Sequence, residues 1–211
     1  MKRLIALLLM TAFSMSALAE QRYRSIDEYY KAIGSTAHRP HAADRANASG
    51  RLVVGLLQVW PTPEEPKAMV FVAQETSTGE VSEAARSKPF DFGDGGARTY
   101  VEFVEATTNT DFSIQINYRG ACSSGFDIFR FSKKHKLWVV SGRDSTRYSC
   151  SENDESFGDT RNEISANFLT GKVVNKYYSR NRLRKKIVEN KNFPEFPITE
   201  FDPFQDTYGP R

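Results

Sequence analysis

Cysteine, histidine and net charge are all scarce in this chain. Two cysteines and three histidines in 211 residues cannot build the disulfide-dense frame of a small secreted scaffold. No glycine period suggests collagen. Lysine and arginine number 29 against 26 aspartates and glutamates, a balance that argues against a dedicated nucleic-acid binder. No apolar run reaches the ~18 residues of a membrane-spanning helix. Catalytic signatures are missing as well: neither H-E-x-x-H nor S-x-x-K occurs, and Cys122 takes the centre of Gly120–Gly125 where a G-x-S-x-G elbow needs serine. What the chain does have is apolar substance, 39% hydrophobic with 12% aromatic. That is too much for a wholly disordered protein.

The first residues read as an export signal. Lys2 and Arg3 form a positive start, Leu4–Phe13 is a short apolar stretch, and Ala17-Leu18-Ala19 supplies the small-x-small pattern of a cleavage site before Glu20. The sequence therefore predicts a leader over 1–19 and a soluble periplasmic protein, with secretion beyond the periplasm as the variant. Removing Lys2 and Arg3 from the 29 basic residues leaves 27 against 26 acidic. The remainder is nearly neutral.

Export gives Cys122 and Cys150 a role. An even pair in an oxidising compartment predicts one structural disulfide, worth roughly 3–4 kcal/mol for a loop of this length. No C-x-x-C spacing supports a redox pair.

Ser25-Ile26-Asp27-Glu28 has the form of a capping box, with Glu28 expected to reach back to the Ser25 amide. It predicts one short helix over 26–33, stopped by Gly34. From Ser35 to Gly50 no period is visible, which predicts a loop with a helical turn near Ala42–Ala46. Strand patterns follow at Leu52–Trp60, Ala68–Ala73 and Tyr100–Val104. Between Phe112 and Tyr118 apolar and polar residues alternate strictly, the pattern of a strand with one buried face. Phe126–Phe131 and Leu137–Ser141 are predicted strands joined by the basic loop Ser132–Lys136, and Ile164–Leu169 and Val173–Tyr178 flank Thr170-Gly171-Lys172. From Phe193 onward the spaced prolines and phenylalanines predict an extended segment lying across the outside of a sheet. Residues 206–211 read as a flexible tail. The whole predicts a mainly β chain over 20–205: an antiparallel sandwich, open barrel or curved sheet with one short N-terminal helix.

Few residues invite chemistry. His38 and His41 flank Pro40 with no third ligand, and His135 sits among lysines with no nucleophile beside it. Asp91 and Asp94 in the glycine-rich Phe90–Gly96 segment suit a tight turn, with calcium coordination as the competing reading. The sequence thus predicts no catalytic centre, no cofactor and no metal site. The strongest asymmetry is electrostatic. Lys172, Lys176, Arg180, Arg182, Arg184, Lys185, Lys186 and Lys191 face only Glu189 over residues 172–191, with Tyr177 and Tyr178 among them. The first seven are the candidate anion or partner surface. The bland alternative is a solvated edge whose lysines discourage aggregation.

These readings predict an exported binding protein whose partner is an exported or envelope protein. An inhibitor or immunity protein directed at an envelope hydrolase or toxin has the features expected. Anionic lipid or a cell-wall polymer is the other partner class, and nucleic acid is disfavoured. The competing reading is an envelope hydrolase drawing on Asp91, Asp94, Glu102 or His135.

Overall fold

A computed structural model describes residues 21–34, 40–62, 65–91, 98–120, 123–149 and 160–204. The expected leader, Asp94, His38, Cys122, Cys150 and the tail at 206–211 lie outside these residues. The described chain is mainly β: two antiparallel sheets, one short helix and no closed barrel.

Two continuous apolar runs organise the first sheet. Strands β3 (Gly50–Thr62) and β4 (Glu65–Thr76) pair antiparallel, and both of their faces are buried. Leu52, Val54, Leu56, Ala68, Val70 and Val72 enter a large core. Val53, Leu57, Met69, Phe71 and Ala73 enter a smaller one on the opposite face. Helix α1 (Ile26–Ala32) covers that second face. Its Tyr29 is fully buried, edge-on to Phe71 at 5.9 Å, and donates its hydroxyl to Glu83 at 3.1 Å. Gly55 makes the close packing feasible: a Cβ there would stand 2.8 Å from the Phe71 ring and 2.5 Å from the His41 carbonyl oxygen.

The helix cap forms with one change from expectation. Ser25 Oγ accepts from the Glu28 amide at 3.2 Å, but the Glu28 carboxylate takes the Arg24 amide at 2.8 Å rather than that of Ser25. Gly34 adopts φ 95° just past the helix, as a stop requires.

Around β3 and β4 the sheet is completed by β1 (Arg22–Tyr23) on β5 (Val81–Arg86), β5 on β4, β2 (His41–Asn47) on β3, and β6 (Phe90–Asp91) on the same edge of β4 as β5. Strand β2 replaces the expected loop with its helical turn near Ala42–Ala46, while residues 35–39 of that expected loop lie outside the described residues. Its alanines carry little strand preference. Pairing with β3 decides the matter, aided by Arg51 of β3, which bonds Asp44 at 2.5 Å.

The second sheet is a seven-strand meander in chain order: β7 (Arg98–Ala106), β8 (Asp111–Arg119), β9 (Ser123–Lys134), β10 (Leu137–Ser149), β11 (Thr160–Asn167), β12 (Lys172–Ser179) and β13 (Arg182–Asn190). Phe112, Ile114 and Ile116 of β8 face the first sheet together with Phe129, Phe131, Trp138 and Val140. Strand β2 lies alongside β7. The expected five-residue loop at Ser132–Lys136 is a two-residue turn: Lys134 pairs with Leu137, and His135 takes φ 55°. Strand β10 also runs past the expected end at Ser141, because pairing on both sides carries its polar second half.

The C-terminal segment overturns another expectation. It does not lie across the outside but closes the gap between the sheets. Ile198 and Phe201 are each 1% exposed, and the Phe201 ring sits 5.0 Å from both Phe129 and Phe131 and 5.6 Å from Phe90. Phe193 and Phe196 pack on Phe168 at 4.9 and 5.1 Å. The Val140 amide, beyond the Gly142–Asn167 end of the β10–β11 ladder, donates to the Phe196 carbonyl at 2.8 Å. Pro197 makes one isolated antiparallel bridge to Val139, but prolines lack the amide donor needed to extend a ladder, while the phenylalanines are drawn into the core by their apolar area.

Candidate functional site

The interior of the second sheet turns from apolar to charged along one strand. In β9 the inward positions read Asp127, Phe129, Phe131, so a carboxylate occupies a core position and is 1% exposed. Such a charge needs partners. Arg143 and Arg147 of β10 each donate an Nη2 to Asp127 Oδ2 at 2.9 Å, and the Tyr118 hydroxyl of β8 donates to the same oxygen at 2.9 Å. The guanidinium of Arg143 lies 5.6 Å from the Phe129 centroid, and that of Arg147 lies 4.6 Å from Tyr118. Gly125 lets the Arg147 stem cross the sheet: a Cβ there would meet the Thr146 carbonyl at 2.2 Å. Burial alone would raise the Asp127 carboxyl, but Arg143 and Arg147 outweigh it and hold it below the usual carboxylate range. Burial, reinforced by the Asp127 charge, pushes the Tyr118 hydroxyl far above the usual phenol range. This hub ties three strands together. Its geometry is that of a structural ion cluster, with the single carboxylate engaged by three donors.

The outer face of the same sheet has no layer over it among the described residues. Register builds it row by row. Tyr100 stands beside Asn117 and Phe126, and Phe103 beside Gln115 and Ile128. Tyr100 and Phe103 are an odd number of residues apart and share the face only because β7 bulges between Val101 and Phe103. Both rings are open to solvent, 46% and 37% exposed. Two depressions lie end to end here. One of about 300 Å³ is lined by Tyr100, Gln115, Asn117, Phe126 and Tyr148 among others. The next, about 370 Å³, includes Phe103, Ser113, Ile128, Arg130 and Asp144. Gln115 donates to Asn117 at 2.8 Å, and Asn117 donates to Glu102 at 2.9 Å, so the amides are held in fixed orientations. Arg130 is paired with Asp144. Asp111, at the far end, accepts from Thr108 and Thr110 at 2.6 and 2.9 Å. Burial would raise its carboxyl, but the hydroxyls of Thr108, Ser132 and Thr110 keep it below the usual range.

The predicted basic surface maps to the β12–β13 hairpin and is divided between two faces. Lys176 opposes Lys186, and Tyr177 opposes Lys185 on the other face. Lys172 stands opposite Asn190 at the hairpin's open end. Arg180 forms the turn with Asn181, Arg182 pairs with Ser179, and Arg184 sits at a bulge. Only Lys176 of the seven has a carboxylate in reach among the described residues, Glu163 at 3.5 Å. Glu163 also accepts from the Tyr178 hydroxyl at 3.1 Å.

The described residues named for a hydrolase, Asp91, Glu102 and His135, do not converge. Asp91 is exposed on β6, 3.5 Å from Lys67. Glu102 lies at the β7 bulge, level with Asp127 and Ile128 midway along β9, whereas His135 is in the β9–β10 turn beyond the end of that strand. Asp94 and both cysteines fall outside the described residues. Among the described residues no three His, Cys, Asp or Glu side chains form a group able to hold a metal ion, and no helix is long and apolar enough to cross a membrane.

Sequence reasoning missed the Asp127 hub and the Tyr100–Phe103 pair. The first had a signal, an aspartate in phase with Phe129 and Phe131. The second had none, because a bulge breaks the two-residue period. The architecture is thus a mainly β chain of two facing antiparallel sheets, with one open sheet face and one basic open edge. No family model, curated protein or solved structure matches this chain.

Proposed function

We propose that this chain is an exported, non-catalytic binding protein of the periplasm that captures an acidic envelope protein along strand β13. The observation that carries the reading is the state of that edge. Among the described residues strand β13 is paired on one side only, by β12. Along the hairpin Arg180, Arg182, Arg184, Lys185 and Lys186 are exposed and have no ion-pair partner among the described residues, while Leu183 and Val188 of the same strand stand 51% and 53% exposed. An open ladder edge can accept an added strand through its backbone groups. The cations favour an acidic strand and speed its approach. An inhibitor or immunity protein acting on an envelope hydrolase or toxin fits such a surface. Cys122 and Cys150 are the residues next in sequence to Ser123 and Ser149, the outermost described pair of the β9–β10 ladder. That register supports their joining as a disulfide in the oxidising compartment.

The test is photocrosslinking in the periplasm from a probe at Leu183 or Val188, with Thr78 in the exposed β4–β5 turn as the control position. The expected result is one defined acidic protein crosslinked from β13 and not from Thr78. The purified pair should then lose about tenfold or more in affinity with Arg184→Glu/Lys185→Glu and weaken with salt. No adduct, or affinity unchanged by charge reversal, overturns the reading. Binding only to phosphatidylglycerol vesicles would replace the protein partner with an anionic membrane surface.

A further inference from the structure

We infer that the outer face of the seven-stranded sheet is a second binding site, independent of the β13 edge, and that it takes a linear glycan of uncharged pyranose units. The two depressions share strands β8 and β9 and follow one another along them: Gln115 and Phe126 line the first, Ser113 and Ile128 the second. They form one trough, roughly 30 Å long for the nine residues of β8 at about 3.4 Å each. An extended polymer matches that shape better than a compact metabolite does.

The chemistry of the lining selects among polymers. A peptide that adds as a strand needs free backbone donors and acceptors. Strands β8 and β9 have neighbours on both sides, and their ladder groups are already engaged. Only side chains are on offer here. A nucleic acid needs a row of cations for its phosphates, but Arg130 is bound to Asp144, Arg119 stands alone at one end, and the ionised Asp111 lies at the other. A lipid chain needs a continuous apolar wall, and here amides and hydroxyls alternate with rings.

What remains on offer is a set of exposed aromatic faces beside pre-oriented neutral hydrogen-bonding groups. The apolar faces of pyranose rings can lie on Tyr100 and Phe103. Their hydroxyls can bond Gln115 Oε1 and the Tyr100 and Tyr148 hydroxyls, which have no hydrogen-bond partner among the described residues. The β7 bulge is the device that sets two rings on one rim. Gln115 and Asn117 form a bonded pair, so little side-chain freedom is lost on binding.

The decisive experiment is calorimetry of residues 20–211 with cellohexaose and with chitohexaose. Binding of at least one hexasaccharide is expected, weakened about tenfold or more by Tyr100→Ala/Phe103→Ala and by Gln115→Ala, with the melting temperature of each variant unchanged. Arg184→Glu/Lys185→Glu should leave it intact. No heat with either sugar at millimolar concentration overturns the proposal, as does binding that survives all three groove substitutions. A competing signal from an extended neutral peptide, lost with the same substitutions, would likewise reassign the trough. Because β13 is absent from the lining, sugar binding without an acidic partner refutes the edge reading alone, and the reverse result refutes only the trough.

Discussion

The two sheets differ in how many faces they bury, and the difference is written in their sequences. In β3 and β4 successive residues go alternately to two cores, so Leu52–Leu57 and Ala68–Ala73 are unbroken apolar runs. In β8 only one face enters a hydrophobic core, so Phe112, Ile114 and Ile116 alternate with Ser113, Gln115 and Asn117. A continuous run signals two buried faces and an alternating one signals a free face. The free face is where this molecule has room to bind.

The largest expected effect lies where the second sheet buries charge, at Asp127 and Arg143. Asp127→Ala should destabilise the fold by about 3–5 kcal/mol, because Arg143 is left buried without a counter-charge; chemical denaturation measures it. The pH dependence has a defined sign. The folded carboxyl titrates below its unfolded value of 3.8. Its stabilisation is therefore present above that value and fades as pH falls through the folded one. The gap between the native protein and Asp127→Asn should narrow below about pH 4, and a gap constant down to pH 2 would contradict the ion cluster.

Of similar size are the apolar anchors. Phe71→Ala on the helix side of the first sheet and Phe201→Ala between the sheets should each cost about 3–5 kcal/mol. Tyr148→Ala, on the free face, should stay within about 0.5 kcal/mol. Comparable losses at Phe71 and Tyr148 would mean that the outer face is not free. A smaller loss, about 1 kcal/mol, is expected for Tyr29→Phe, which removes the bond to Glu83. Burial, aided by the Glu83 charge, places the Tyr29 hydroxyl far above its ordinary 10.0. Neutral Tyr29 thus favours the fold up to about pH 10, and that contribution declines at higher pH as the unfolded chain ionises. Tyr29→Phe should flatten the alkaline limb of stability against pH.

The smallest effect tests the open edge. Arg180 and Asn181 both adopt positive φ, 49° and 60°, in the β12–β13 turn. Asn181→Gly relieves the second at little cost and should stabilise the protein by a few tenths of a kcal/mol to about 1, seen as a higher melting temperature. No gain, or a loss, would show that the hairpin is not held in this turn.

Much of the fold was legible for reasons these comparisons make plain. Ser25 and Glu28 marked the helix start because capping is a local act of one side chain on nearby amides. The alternation in β8 and the runs in β3 and β4 named their own buried faces. Strand β2 was illegible because alanine and arginine have no strong local preference, and only β3 beside them supplies the ladder. The prolines after Phe193 excluded a central strand but could not say whether the rings lie outside or inside. That depends on a gap between sheets formed by residues more than sixty positions earlier, Phe129 and Phe131 among them.

By itself the sequence determined the class of the chain, its short helix, its apolar strands, the leader-like start and the concentration of cations near the C-terminus. These depend on residue type and spacing within a few positions, where sterics, capping and burial of one face act locally. Tertiary structure alone decided which cations share a face, that Asp127 meets two arginines and a tyrosine, and that Tyr100 and Phe103 open side by side onto one trough. Each of those facts needs strand register or a bulge. Both are settled by pairing between strands that the local sequence does not encode.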